Sequence, residues 1–234
     1  MHGLLCPGAP RRLLGSVITS GFLLTLPAAA FAAPRTLRPA SNRGFDDPKG
    51  LGAPPTDRKI EKILQRFSDR QTRLVALPQR RAGVARASSE GRFRDRRYRA
   101  RNVIDHNPRT SWAEDEPGAG AGAWLEVEVE TAPGQRLFGV VLGGGFAKSP
   151  GVFRNNPRPK TLNLAVECTD GRHTEVLLDL ADTRRPQLFV FGPNERVEVT
   201  SPCRLRLTVQ SVFPGRRFEG LGISEFRLIV AESR

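Results

Sequence analysis

From Trp124 onward, apolar residues fall on alternate positions. Leu125, Val127 and Val129 interleave with Glu126, Glu128 and Glu130, which puts one face of a strand in a core and the other in water. Phe138, Val140 and Leu142 continue the alternation and stop at Gly143-Gly144-Gly145. Leu162, Leu164, Val166 and Cys168 share a face, and Asp170-Gly171 predicts a tight hairpin turn into Val176, Leu178 and Leu180. Further strands are expected over 188–191, 196–199, 205–209 and 223–230. Short strands with turn residues between them and no long helix predict an all-β sandwich or jelly roll over residues 96–232.

Upstream the pattern changes twice. Arg11 and Arg12 precede an apolar run from Leu13 to Ala32 that closes on Ala30-Phe31-Ala32. This is the layout of a secretory signal peptide over 1–32, and it predicts an exported protein, periplasmic or secreted. Nothing else approaches the ~18 apolar residues of a transmembrane helix, so no stable membrane insertion is expected. Residues 33–95 mix Pro, Gly and charge without apolar periodicity, as a mostly disordered arm does. One segment inside it is periodic: Ile60, Ile63, Leu64 and Phe67 lie on one helical face behind a Thr56 N-cap. A short helix over 57–70 would dock on the domain or a partner, or fray in the tail.

Charge sharpens this division. The 234 residues carry a net +13, but residues 33–101 hold 19 Lys and Arg against 7 Asp and Glu, and residues 102–234 hold 16 against 17. The basic character belongs to the arm. That argues against nucleic acid as the domain's partner, because a nucleic-acid-binding domain carries a basic face of its own. The arginine-dense stretch from Arg80 to Arg101 reads either as a solvated linker or as a segment drawn to anionic polymers of the cell envelope.

Between arm and strands, Tyr98 to Trp124 organises the rest. Asp105 to Thr110 is dense in turn formers and can point carboxylate, hydroxyl and carbonyl oxygens at one spot, which hard cations such as Ca²⁺ favour. Trp112 is expected to anchor the core. Gly118, Gly120 and Gly122 let the chain bend before the strand at Trp124.

Several pieces of the sequence resemble a known family. I-D-H-N-P-R-T-S-W looks like the first loop of discoidin-like domains, the coagulation factor 5/8 type C fold. Y-x-A-x-N-V-I-D, T-S-W-x-E-D-E-P-G, G-G-F-A-K-S, N-N-P-R-P-K, V-F-P-G-R-R-F and I-S-E-F follow in order between Tyr98 and Val230. Together they resemble the translocation or glycan-binding domain of bacterial NAD-glycohydrolase toxins. The resemblance implies a discoidin-like, galactose-binding-like jelly roll that binds carbohydrate. It also implies Ca²⁺ ligands at Asp105, Thr110 and Glu225, with backbone carbonyls near Asn107. The alternative is that Asp105 and Thr110 only cap turns. His106 stands where many relatives carry Gly, so a positive φ there would be strained. The toxins' NAD-cleaving domain has no counterpart, and the resemblance brings no such activity.

Catalytic chemistry is not indicated. Beyond the signal the histidines are His106 and His173, and no nucleophile elbow, paired-His zinc motif or phosphate-cradling loop occurs. Gly143-Gly144-Gly145 leads to no helix, so no redox or nucleotide cofactor is expected. Glu114, Asp115 and Glu116 read as a polar loop rim, since adjacent carboxylates do not give opposed acid and nucleophile. The expected function is a non-catalytic module binding a glycan or envelope polysaccharide. The alternative is a protein–protein adhesion or scaffold domain on the same fold.

Two local expectations follow. Cys168 and Cys203 remain once the signal is removed, and each keeps the parity of the core-facing residues of its strand. In an oxidising compartment antiparallel pairing would join them as a disulfide; two buried free thiols are the alternative. The segment from Phe146 to Lys160 offers sugar-binding chemistry. Phe146 and Phe153 supply flat apolar faces, and Lys148, Asn155, Asn156, Arg158 and Lys160 supply polar groups. The alternative there is that Phe153 is core and Asn155-Asn156-Pro157 shapes a turn.

Overall fold

A computed structural model describes residues 34–38, 62, 65, 72–76, 82–130, 135–199 and 201–233. Two sheets carry the architecture. The first has the order β1-β10-β9-β13-β7-β3, where β1 is Arg35–Leu37, β10 His173–Asp179, β9 Arg158–Cys168, β13 Cys203–Phe213, β7 Trp124–Val129 and β3 Ala82–Ala87. The second runs β11-β8-β14-β2, with β11 at Gln187–Val190, β8 at Arg136–Gly144, β14 at Gly222–Ser233 and β2 at Thr72–Ala76. β6 (Trp112–Ala113) adds to β14, and β12 (Val197–Glu198) adds to β8. A separate hairpin joins β4 (Gly91–Phe93) to β5 (Arg96–Tyr98).

The core lies between the sheets, where alternation predicted it. Leu125, Val127 and Val129 meet Leu162, Leu164, Val166, Leu205, Leu207 and Val209 from one side and Val140, Leu142, Phe226 and Leu228 from the other. Burying side chains of this size contributes about 1.5–3 kcal/mol each. Trp112 is fully buried, and its indole Nε1 donates to the Ser89 carbonyl at 2.8 Å. All eight expected strands form, with ends displaced by a few residues.

One facing assignment changes. Phe138 does not share the face of Val140 and Leu142, but joins Leu74, Val141, Leu188, Ile229 and Ala231 in a second buried cluster. A register shift between Ile229 and Val230 pairs them with Gly139 and Leu137, so Phe138 is skipped. A bulge of this kind reverses the facing of what precedes it, which alternation alone does not encode.

The stretch read as a flexible arm is also corrected in part. β1, β2 and β3 all lie within 33–95, and each is hydrogen-bonded into a sheet at its edge. β3 reads A-G-V-A-R-A, whose small residues give no apolar period to detect. The described residues from 34 onward belong to one compact unit. The expected signal peptide, and the expected helix over 57–70 except for positions 62 and 65, lie outside the described residues.

Cys168 and Cys203 form a disulfide. They are register partners across β9 and β13, with Cα atoms 4.0 Å apart. Asp170-Gly171 makes the expected turn, with Gly171 at φ 87, and it delivers β9 into β10.

Candidate functional site

Three loops hold the candidate residues. The first is the Asp105 loop. Asp105 Oδ1 accepts the Asn107 N–H at 2.8 Å, and Oδ2 accepts the Thr110 hydroxyl at 2.7 Å. The same hydroxyl lies 2.5 Å from the Asn107 carbonyl and 3.4 Å from that of Asn102. Asp105 and Thr110 are therefore brought together with two carbonyl oxygens. His106 takes φ 57, the left-handed conformation that glycine adopts without strain. Glu225 sits in β14, 2% exposed, and accepts Arg227 Nε at 2.8 Å. Among the described residues no group of three or more His, Cys, Asp or Glu could hold a metal, so hydroxyl and carbonyl oxygens would have to complete any set around Asp105. Those donors are hard oxygens, as Ca²⁺ requires.

The second is the segment from Phe146 to Lys160. It is not an open loop: α1 (Pro150–Asn155) forms inside it, capped by the Ser149 side chain, which accepts the Val152 N–H. Phe146, Phe153 and Arg158 are buried, which removes them from the side chains a ligand could touch. Phe146 packs edge-on against Tyr98, 5.5 Å between ring centres. Arg158 stacks over Phe153 at 5.0 Å and Phe213 at 5.8 Å, grips the Asp182 carboxylate, and donates to the Pro214 carbonyl at 2.9 Å. Arginine at such a point acts as a buried brace between segments. Asn156 donates to the Val152 carbonyl and ends the helix, while the Asn155 carbonyl accepts Arg217 and Phe218 N–H groups. Lys148 and Lys160 are exposed.

The third loop runs from Glu114 to Trp124. Glu114 is 3% exposed and is not a rim residue. Its Oε1 accepts the Leu221 N–H at 3.1 Å and its Oε2 accepts the Glu116 N–H at 2.9 Å, so this carboxylate clasps two loops. Gly120 has φ 85, and a Cβ there would lie 2.7 Å from that of Leu221. Ser88 and Ser89 staple the loop from behind. Ser88 Oγ accepts Trp124 N–H at 3.2 Å, and Ser89 Oγ accepts Asp115 N–H at 2.9 Å.

Between these groups lies a cleft of about 350 Å³, lined by Ser88, Glu116, Pro117, Gly120, Gly122 and Trp124 among others. A hexose ring needs a flat apolar wall and polar groups, and half-buried Trp124 and exposed Glu116 supply both types. Arg206 stacks on Trp124 at 4.2 Å. The sequence pattern placed Trp124 as the start of a strand; its place on a cleft wall depends on Ser88, 36 positions upstream. No local signal marks that pairing.

Arginines on the outer face of the first sheet are paired. Glu126 is 4% exposed, although its parity puts it on the wet face. Arg204 Nε reaches its Oε1 at 3.2 Å, and Arg206 Nη2 reaches Oε2 at 2.9 Å. Arg86 pairs with Glu128 at 3.1 Å. His173 is exposed at the head of β10, beside Arg172.

Residues 79–229 match the family model described as the NAD glycohydrolase translocation F5/8 type C domain. The chain belongs to this family. The F5/8 type C match begins at residue 79, so it includes β3 and the β4–β5 hairpin. Among solved structures the domain is similar to CpGH89CBM32-5 from Clostridium perfringens in complex with GalNAc-β-1,3-galactose. Identity there is 15%, the TM-score is 0.47, and 65% of this chain and 98% of that one are covered. It is similar to an F5/8 type C domain from Bacteroides fragilis, at 15% identity and TM-score 0.47, over 67% and 95% of the two chains. It is also similar to the family 32 carbohydrate-binding module of Streptococcus pneumoniae EndoD, at 10% identity and TM-score 0.44, over 62% and 94%. Among curated proteins none matches the chain. The fold of this F5/8 type C domain is a discoidin-like jelly-roll β-sandwich. No helix among its described residues is long and apolar enough to cross a membrane.

Proposed function

We propose that the protein is an exported, non-catalytic carbohydrate-binding module, and that a sugar enters the cleft beside Trp124. Family membership over residues 79–229 carries this reading. The cleft supports it with an aromatic wall, a free-standing carboxylate on exposed Glu116 and a glycine-lined floor. The non-catalytic part is supported by Glu114, whose two oxygens already accept backbone N–H groups and so are committed to structure. Export is supported by the Cys168–Cys203 disulfide, a bond that persists in oxidising compartments.

A glycan array at moderate salt tests the reading. The control is Ala121→Trp, which places an indole in the cleft mouth from an exposed position. The wild type should bind a defined set of glycans, and Ala121→Trp should lose them while melting normally. An array with no glycan bound sinks the reading and leaves the adhesion or scaffold role.

The Asp105 loop is the place for a structural Ca²⁺. The Asp105 carboxylate, the Thr110 oxygen and the carbonyls of Asn102 and Asn107 would hold it, and Glu225 would stay with Arg227. Such an ion would pin the entry to β6.

A further inference from the structure

We propose that the β4–β5 hairpin and the loop over 214–220 read acidic sugars of the bound chain next to the cleft, so that the ligand is a polyanionic glycan. This rests on the carbohydrate-binding reading above. Among the described residues the exposed large apolar side chains are Phe93, Phe218 and Val152, at 60%, 47% and 38%. Phe93 and Phe218 belong to segments that contact Glu114, and Val152 lies on the helix bonded to the second of them. At the hairpin's base, a Cβ on Gly91 would lie 3.3 Å from the carbonyls of Ala113 and Glu114. The 214–220 loop ends at Leu221, whose N–H donates to Glu114. That loop is tied to α1, which carries Val152, through the Asn155 carbonyl.

Each exposed phenylalanine carries its neighbour's guanidinium. Arg94 lies 5.4 Å from the Phe93 ring centre, and Arg217 lies 5.4 Å from that of Phe218. Residues 91–101 and 214–220 together hold eight arginines against two carboxylates, Asp95 and Glu219. None of the eight forms an ion pair with a described carboxylate, whereas Arg86, Arg204 and Arg206 on the first sheet are all paired. Arg94 also adopts φ 55, a turn conformation that favours glycine. A strained non-glycine residue that presents a charge at a loop tip points to a role for that charge.

The chemistry is matched to an acidic sugar. A phenylalanine ring takes the C–H face of a pyranose. A guanidinium already laid on that ring is held in place to accept a carboxylate, sulfate or phosphate ester through two parallel N–H donors. Three separated apolar side chains, two of them covered by guanidinium groups, offer little continuous surface for burial in a bilayer.

The test uses the full exported chain on immobilised polygalacturonate and dextran sulfate, against fully methyl-esterified polygalacturonate and uncharged dextran, over a salt series. The variants are Arg94→Gly with Arg217→Ser, and a control of equal charge loss at exposed positions, Arg109→Ser with Arg136→Ser. The wild type should prefer the polyanions, with affinity falling as salt rises. Arg94→Gly/Arg217→Ser should melt normally and lose about tenfold or more on the polyanions, since charge-assisted hydrogen bonds of this kind carry such factors. The control should stay near wild type, and neutral glycans found by the array should bind both variants equally. Equal binding to esterified and free polymer overturns the proposal, as does equal loss in both variants. Tighter binding to phosphatidylglycerol-containing vesicles than to either polyanion also overturns it, in favour of a membrane surface. If neutral binding survives without any acidic preference, only this inference falls; if Ala121→Trp and the wild type both bind nothing, the cleft reading falls with it.

Discussion

Arg158 grips Asp182 through a fork, with Nε donating to Oδ1 at 3.0 Å and Nη2 to Oδ2 at 2.5 Å. The arginine is almost wholly buried while the aspartate is 42% exposed. Removing the guanidinium would also strip the Pro214 and Asn156 carbonyls of a donor. Arg158→Ala should therefore cost about 2–4 kcal/mol, less than a fully buried pair because water can reach Asp182. Urea denaturation measures it. Arg158→Lys should recover only part of the loss, since an ammonium cannot fork or stack on Phe153. A wild-type denaturation midpoint for Arg158→Ala would refute the bracing role.

Glu114 clasps the loops that frame the cleft. Glu114→Ala should destabilise by about 2–3 kcal/mol, because it leaves the N–H groups of Leu221 and Glu116 without their acceptor. Glu114→Gln keeps one acceptor oxygen and should cost about half as much. Thermal melts of the two variants, run side by side, decide this; equal and negligible losses would mean the clasp is dispensable.

The Cys168–Cys203 bond closes a loop with a sequence separation of 35. Replacing both with Ser should lower stability by about 2–4 kcal/mol. Denatured, unreduced protein should show no thiol from either residue in a free-thiol assay, and detection of both would contradict the bond.

Calcium should be visible as stability. Chelation with EDTA should lower Tm by several degrees, and re-added Ca²⁺ should restore it, since a ligand that binds only the folded state stabilises it. Thr110→Val keeps the shape but removes the hydroxyl, and should abolish the EDTA response. An unchanged Tm on chelation would leave Asp105 and Thr110 as turn caps.

Much of this was legible in order along the chain. Alternation of the kind seen at Leu125, Val127 and Val129 determines which residues face a core, because successive side chains in a strand point to opposite faces. The same rule put Cys168 and Cys203 on core faces, and the ordered loop motifs carried the family resemblance. Tertiary structure alone decided the rest. Phe138 changed face through a one-residue bulge, which is a property of the β8–β14 pairing and not of either strand. Phe146, Phe153 and Arg158 looked like ligand-binding chemistry, but all three are folded inward, where ring contacts and the Asp182 fork satisfy them. Glu114 and Glu126 looked exposed, yet partners distant in sequence bury them: Leu221 for one, Arg204 and Arg206 for the other. Sequence periodicity reports local geometry. Burial of a charged or aromatic group depends on a partner far along the chain, and only the packed fold brings that partner near.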